Sequence, residues 1–289
     1  MSDSNSDTTT PAPTDRKGKK GTDWWGEIKG IFWLVLAVFT FHSFVAKPFY
    51  IPSESMMPGL LVGDRLVVSK YPYGWSFVSP TFHLLPYFPG RLFGRLPERG
   101  DVVIISPPGE RVDYIKRVVG LPGARLEMRG GTLIINGVPV KRTRRADAMI
   151  PVDTTAPCSD IQFPGRLVTQ PDGKQFCRLP IVRETLPNGR SYDTIDLGDG
   201  PTDNFAALTI PPDNVFVMGD NRDNSADSRV SIADMGLGGP VPWENLGGRA
   251  EFITFSLDGD TVLFNPISWI TSLRSGRAGT SLHPDEGGK

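Results

Sequence analysis

The chain has 289 residues, 31 Lys+Arg against 32 Asp+Glu, and its 32 glycines and 27 prolines make up about a fifth of it, against a usual ~12%. That density of breakers excludes long helical or coiled-coil architectures and fits a turn-rich, mainly β fold. A net charge of −1 argues against a general nucleic-acid binder, and two cysteines cannot build a zinc ribbon or a disulfide-dense mini-protein.

Residues 1–23 are polar, and 1–26 is expected to be a disordered tail. From Gly30 to Ala46 no residue carries a formal charge, with Trp24 and Trp25 before the run and Lys47, Pro48, Phe49 and Tyr50 after it. Its length and aromatic ends predict a membrane anchor over 27–47. A buried core helix fits less well, because nothing amphipathic relieves the run. A cleaved signal peptide also fits poorly, since bulky Phe44 stands two residues before Ala46. Arg16, Lys17, Lys19, Lys20 and Lys29 precede the run, and only Lys47 and Arg65 follow closely. By the positive-inside rule the N-terminus is cytoplasmic and the rest of the chain lies outside.

Beyond the anchor, short Val- and Ile-rich runs predict strands at Asp64–Ser69, Asp101–Ile105, Val112–Val119, Leu126–Met128 and Thr132–Ile135. Further strands are predicted at Asn214–Met218, Arg249–Phe255 and Thr261–Phe264. Asn136-Gly137, flanked by apolar residues, reads as a two-residue hairpin turn. Tyr71–Glu98 holds eight aromatics, among them Trp75, Phe77, Phe82 and Phe93, together with Arg91 and Arg95. It reads either as an extended hairpin packed on the domain or as a segment dipping into the membrane interface. Between Val140 and Ala206 polar loops dominate, so 140–206 is expected to be an inserted smaller domain in a discontinuous β core of 48–139 and 207–274. Cys158 and Cys177 both fall in the insertion and are expected to pair in an exported domain, rather than remain as buried thiols. The tail 275–289 is expected to be unstructured.

The usual catalytic groups are missing. His42 lies in the apolar run, His83 in the aromatic segment and His283 in the tail, so a Ser-His-Asp hydrolase does not fit. There is no H-E-x-x-H and no Gly-rich phosphate loop, and no cofactor is called for. A Ca²⁺ loop starting at Asp223 would need Gly where Ser228 stands, and Arg222 and Arg229 would repel the cation, so no metal is assigned.

Serine and lysine remain. In Pro52-Ser53-Glu54-Ser55-Met56-Met57-Pro58-Gly59-Leu60 two prolines bracket two serines and stiffen an irregular backbone. In Asp113–Gly123, strand alternation puts Lys116 on one face with Tyr114 and Val118, opposite Ile115 and Arg117. Burial among apolar side chains could bring the lysine amine from ~10.4 towards ~7–8, where it can take a serine proton.

These pieces, with Gly219-Asp220-Asn221-Arg222-Asp223-Asn224-Ser225-Ala226-Asp227-Ser228-Arg229, Arg99–Val103 and Val241–Ala250, resemble type I signal peptidase, the serine–lysine family of bacterial leader peptidases. The resemblance runs from the anchor to about Asp258. Gly59, where many members have Thr, and the long 71–98 segment depart from it. It implies a single transmembrane helix followed by an exported, β-rich catalytic domain with an inserted smaller β and loop domain. Carried over, it makes Ser55 the nucleophile and Lys116 the general base, with Ser53 joining the Ser55 N–H in an oxyanion hole. Ser225 would orient the Lys116 amine, and Asp227 with Arg229 would support that loop as an ion pair. Asp220, Asn221 and Arg222 would shape the turn.

The implied activity is a membrane-bound endopeptidase that removes signal peptides from exported preproteins after A-x-A-type sites, through an acyl-enzyme. The substrate would add as a strand between Phe49, Tyr50, Ile51 and Asp113, Tyr114, Ile115. Ile51, Met56, Leu60, Tyr114 and Ile115 would line shallow pockets. The implied setting is the bacterial inner membrane, with the catalytic domain on its periplasmic or outer face and the secretion translocon nearby. Two rivals are a processing peptidase for one exported substrate and an inactive, anchored interaction module.

Overall fold

The structure, a computed structural model, describes residues 24–81, 86–107, 112–262 and 264–286. The expected disorder of the first 23 residues, the basic cluster 16–20, Phe82 and His83 lie outside these residues. The chain divides into two compact units, Met1–Val38 and Phe39–Lys289.

Helix α1 runs Trp24–Phe44, 21 residues, or about 32 Å at 1.5 Å per residue, enough to cross a ~30 Å hydrocarbon layer. It starts three residues before the anchor read from the sequence, so Trp24, Trp25 and Gly26 are helical and not part of a disordered tail, and it stops three residues short of that anchor's end. Pro48 disfavours helical backbone at Lys47, and Ala46–Tyr50 pairs as a strand instead.

In the second unit the strands, in chain order, are β1 (Ala46–Tyr50), β2 (Asp64–Ser69), β3 (Val102–Ile105), β4 (Tyr114–Gly120), β5 (Arg125–Arg129), β6 (Thr132–Ile135), β7 (Val138–Pro139), β8 (Lys141–Arg144) and β9 (Ala148–Pro151). They continue with β10 (Leu167–Thr169), β11 (Gln175–Leu179), β12 (Ile181–Thr185), β13 (Arg190–Ile195), β14 (Phe205–Thr209), β15 (Asn214–Met218), β16 (Val241–Pro242), β17 (Leu246–Ser256) and β18 (Asp285–Glu286). The main sheet has the order β1-β2-β17-β3-β4-β15-β16. Its inner strands are Val- and Ile-rich and buried on both faces, as β3 and β4 show. The β6–β7 turn is the one Asn136-Gly137 announces, with both residues at positive φ and Ile135 opposite Val138. Thr261 and Val262 are not a strand. They lead into the short helix α2 (Pro266–Thr271), which Asn265 caps by accepting the Ile267 N–H, while Ser268 and Trp269 bond back to Val262.

The inserted residues form a three-stranded sheet, β10-β11-β9, and most of a four-stranded one, β18-β13-β12-β8. Cys158 and Cys177 are joined as a disulfide that ties the loop before β10 to β11. Their apolar side chains do not form a core of their own. Ile150, Phe163, Leu179, Ile181 and Ile195 pack with Met57 and Leu61 of the β1–β2 connection.

Two further expectations are corrected. Residues 275–286 are ordered: Arg277 pairs with buried Asp64, Leu282 is buried, and β18 pairs with β13. Among its described residues the aromatic segment is not an extended hairpin. They carry a single bridge, Trp75 to Leu92, and Arg91 pins the segment by donating to the carbonyls of Tyr73, Gly74, Trp243 and Leu246. Within it Phe93 and Tyr87 stay exposed, and the Trp75 indole donates to the Phe44 carbonyl at 2.9 Å.

Candidate active site

Ser55 sits in the loop between β1 and β2. Two backbone hydrogen bonds close its neck, from Ile51 N to the Asp64 carbonyl and from Gly63 N to the Ile51 carbonyl, each 3.0 Å. The apolar residues of the loop then grip it from two sides. Ile51, Met56 and Leu60 enter the core beneath β2, β3 and β17, while Met57 and Leu61 enter the core of the inserted sheets. Ile51, Met56 and Leu60, expected to line shallow pockets, are core residues here, and Met56 and Leu60 also line a second cavity with Arg117 and Tyr192. All three are about 1% exposed and none lines the cleft at Ser55. Apolar side chains beside a nucleophile serve to anchor it as readily as to line its pocket.

Across the cleft, β4 supplies Lys116. Its Nζ lies 2.7 Å from Ser55 Oγ and 3.0 Å from the Ile115 carbonyl oxygen, and Ser53 Oγ lies 3.3 Å from Ser55 Oγ. Strand alternation holds as read from the sequence: Lys116 shares a side with Tyr114, and Arg117 turns the other way into a bidentate contact with Asp220. Burial lowers the Lys116 amine to about 8, helped by Arg229 and opposed by Asp227 and Asp220. No carboxylate forms an ion pair with it among the described residues.

The segment 219–229 closes the site. Asn221 donates its N–H to the Ser55 carbonyl and its side-chain amide to the Glu54 carbonyl. Asp227 accepts from the Gly219 N–H at 2.9 Å and pairs with Arg229; burial alone would raise its carboxyl, but Arg229 and its hydrogen bonds hold it below the usual carboxylate range. Arg222 forms a bidentate pair with Glu184 on β12, and Tyr192 on β13 joins it. One placement differs from the sequence reading. Ser225 Oγ is buried beside Gly219 and makes no hydrogen bond among the described residues, to the Lys116 amine or otherwise.

The cleft encloses about 610 Å³. Asp113, Tyr114 and Ile115 line it, but Phe49 and Tyr50 do not; Pro52–Ser55 face Val112–Lys116 instead. Tyr50 stacks on Arg65, and Phe49 lies under Lys47 and Lys70. Sequence reasoning missed Thr155, Pro157 and Gln162, which the inserted region contributes to the cleft, and Met235, whose carbonyl accepts from the Tyr114 hydroxyl. Gly219 opens the 219–229 motif, and its role comes from packing. A Cβ there would stand 2.2 Å from Ser225 Oγ and 2.5 Å from the Ser55 carbonyl oxygen, so only glycine fits. The crowding of Gly219 depends on tertiary packing and has no signal in the sequence.

Residues 24–255 match the family model described as signal peptidase, peptidase S26. The chain belongs to the signal peptidase family, peptidase S26. Signal peptidase I of Rickettsia akari (strain Hartford) is 32% identical over 295 residues, covering 95% of this chain and 97% of the relative. That of Rickettsia prowazekii (strain Madrid E) is 34% identical over 257 residues, covering 83% and 86%. A crystal structure of a signal peptidase I from Enterococcus faecalis V583 is 23% identical, covers 54% of this chain and 97% of its own, and superposes with a TM-score of 0.28, too loosely to bear on the fold. Membership makes the chain a serine peptidase, a hydrolase, in a family typically anchored by an apolar helix such as α1.

Proposed function

We propose that the chain is a signal peptidase that cuts signal-peptide-bearing preproteins with Ser55 and Lys116 as its catalytic dyad. The observation that carries this reading is the 2.7 Å separation of Lys116 Nζ and Ser55 Oγ inside a buried site. A neutral amine there accepts the Ser55 proton as Oγ attacks the scissile carbonyl carbon. Lys116 then returns that proton to the leaving amine, which departs and leaves an acyl-serine. Water, giving its proton to Lys116, attacks the ester and releases the new carboxylate as Ser55 regains its proton.

The oxyanion would be met by the Ser55 N–H, which makes no hydrogen bond among the described residues, and by the Ser53 hydroxyl. Among the described residues the pairing of β15 with β4 ends at Arg117, so a peptide strand would add along β4 beside Ile115 and Lys116, with Pro52–Ser55 opposite. Val62, Ile115, Ala226 and Met235 give the cleft an apolar lining that favours small side chains beside the cut, in A-x-A fashion, by excluding larger ones. The basic cluster 16–20 before α1 supports a cytoplasmic N-terminus and a catalytic unit on the outer or periplasmic face of a bacterial inner membrane, near the translocon. The exposed Tyr87 and Phe93, with Trp75 bonded at Phe44, support contact of the aromatic segment with the membrane interface.

Purified protein in detergent should cut a preprotein after an A-x-A site, with an acid limb near pH 8 as Lys116 becomes protonated. Ser55→Ala and Lys116→Ala should each lower kcat by about a thousandfold or more. Cleavage that survives in Lys116→Ala would overturn the dyad.

A further inference from the structure

The cleft at Ser55 has two walls of different origin. Val62 comes from the loop that carries the nucleophile, and Thr155, Pro157 and Gln162 come from the inserted residues. Two side chains join them: the Thr155 hydroxyl donates to the Val62 carbonyl at 3.3 Å, and Arg274 braces both walls. Arg274, beyond residue 255 where the family match ends, donates from Nη1 to the Val62 carbonyl at 2.7 Å and to Ser256 Oγ at 2.9 Å. Its Nη2 donates to Asp153 Oδ1 at 2.9 Å and to Thr155 Oγ1 at 2.7 Å, and its Nε to Asp153 Oδ2 at 2.8 Å. All five N–H donors of the guanidinium are thereby engaged, in a planar fork that a lysine ammonium cannot reproduce. Asp153 Oδ1 also accepts the N–H groups of Thr155 and Ala156, which folds the inserted wall into shape around the same carboxylate. The Cys158–Cys177 disulfide fastens the next turn of that wall to β11.

We infer that Arg274 is a positioning residue that sets the gap between the nucleophile loop and the inserted wall, and with it the grip on the stretch of preprotein lying between Val62 and Thr155. The inference rests on the peptidase reading of the cleft. Arg274 bonds to neither Ser55 nor Lys116. The separation of those two is set by β4 and by the 219–229 segment, whose contacts do not include Arg274. Its loss therefore weakens substrate binding and leaves the proton transfer in place.

The test is steady-state cleavage of one preprotein across pH by the full chain, Arg274→Lys, Thr155→Val, the double variant and Ser55→Ala. Arg274→Lys keeps the charge and removes the fork. Thr155→Val keeps the side-chain shape and removes one of the fork's acceptors together with the direct bond to the Val62 carbonyl, so it reports on the same joint should Arg274→Lys fail to fold. Each should raise KM about tenfold, the effect of one lost charge-assisted hydrogen bond, with kcat within about twofold of the parent and the acid limb unmoved. The double variant should raise KM by less than the product of the two single effects, because the two share the Arg274–Thr155 contact. Ser55-dependent cleavage with KM unchanged in both variants overturns this inference alone. So does a loss confined to kcat with a displaced acid limb, which would place the effect of Arg274 on the dyad. Cleavage as fast in Ser55→Ala as in the parent would overturn the peptidase reading, and this inference with it.

Discussion

Lys116 and Arg117 are neighbours on β4, both buried, yet they face opposite electrostatic surroundings. Arg117 meets Asp220 through two hydrogen bonds of 2.7 and 2.6 Å, donates to the Gly100 carbonyl and lies over the Tyr192 ring at 4.2 Å. Burial would lower its guanidinium, but Asp220 raises it. Lys116 suffers the same desolvation with no carboxylate in contact among the described residues, and its amine falls to about 8. The two faces are linked. Arg117 occupies Asp220, and Arg229 with the Gly219 N–H occupies Asp227, the two carboxylates that would otherwise restore charge to Lys116. Arginines that hold both neighbouring carboxylates are thus what keep the amine without a counterion.

The comparison breaks most visibly if the paired network is opened. Glu184→Ala leaves the Arg222 guanidinium buried without its bidentate carboxylate and takes an acceptor from the Tyr192 hydroxyl. Unfolding by urea should show a loss of about 3–5 kcal/mol, the usual effect of stranding a buried charge. A loss under about 1 kcal/mol would mean that the network is ornamental. On the opposite face the sign should reverse. Lys116→Met removes a disfavoured amine while filling the same space, so the inactive variant should be more stable by about 3 kcal/mol at neutral pH. The folded amine titrates near 8 and the unfolded one near 10.5, so between those values the unfolded chain holds the extra proton and parent stability rises with pH. The advantage of Lys116→Met should be full below pH 8 and gone above about pH 10.5. Denaturation curves at pH 7 and above pH 10 check this.

How much of this was legible in the sequence follows the range of the interactions. Strands with Val and Ile, the Asn136-Gly137 turn and the alternation that separates Lys116 from Arg117 are local, and they were read correctly. The Ser55 and Lys116 motifs lie 61 residues apart, and they could be paired only through the family resemblance. What failed is what depends on distant partners. Arg277 orders the tail by reaching Asp64, 213 residues away, and nothing in the Gly- and Ser-rich stretch around it announces that contact. An apolar side chain near a nucleophile likewise carries no mark of which way it points, so the burial of Ile51, Met56 and Leu60 beneath β2 has no signal in the sequence. The inserted region looked separate because Glu184 and Arg222, whose pairing locks it to the catalytic segment, sit 38 residues apart.

A smaller effect tests the joint between the two faces. In Gly219→Ala the new methyl would stand 2.2 Å from Ser225 Oγ and 2.5 Å from the Ser55 carbonyl oxygen. The Ser55 loop must shift, at a cost of about 1–3 kcal/mol in stability, and a displacement near 1 Å lowers kcat about a hundredfold. Both arginine pairs are left untouched, so normal activity in this variant would show that the dyad tolerates movement its neighbours forbid.

The smallest expected change is the most discriminating. Ser225 Oγ is buried without a hydrogen bond, while Lys116 Nζ is already engaged by Ser55 Oγ and the Ile115 carbonyl. Removing a buried hydroxyl that has no partner relieves its desolvation, so Ser225→Ala should gain up to about 1 kcal/mol. The acid limb should stay near pH 8, because no bond to the amine exists to be lost. A destabilised Ser225→Ala with a displaced limb would mean that the hydroxyl does bond the amine. The lysine face would then hold its amine by a second hydroxyl besides Ser55.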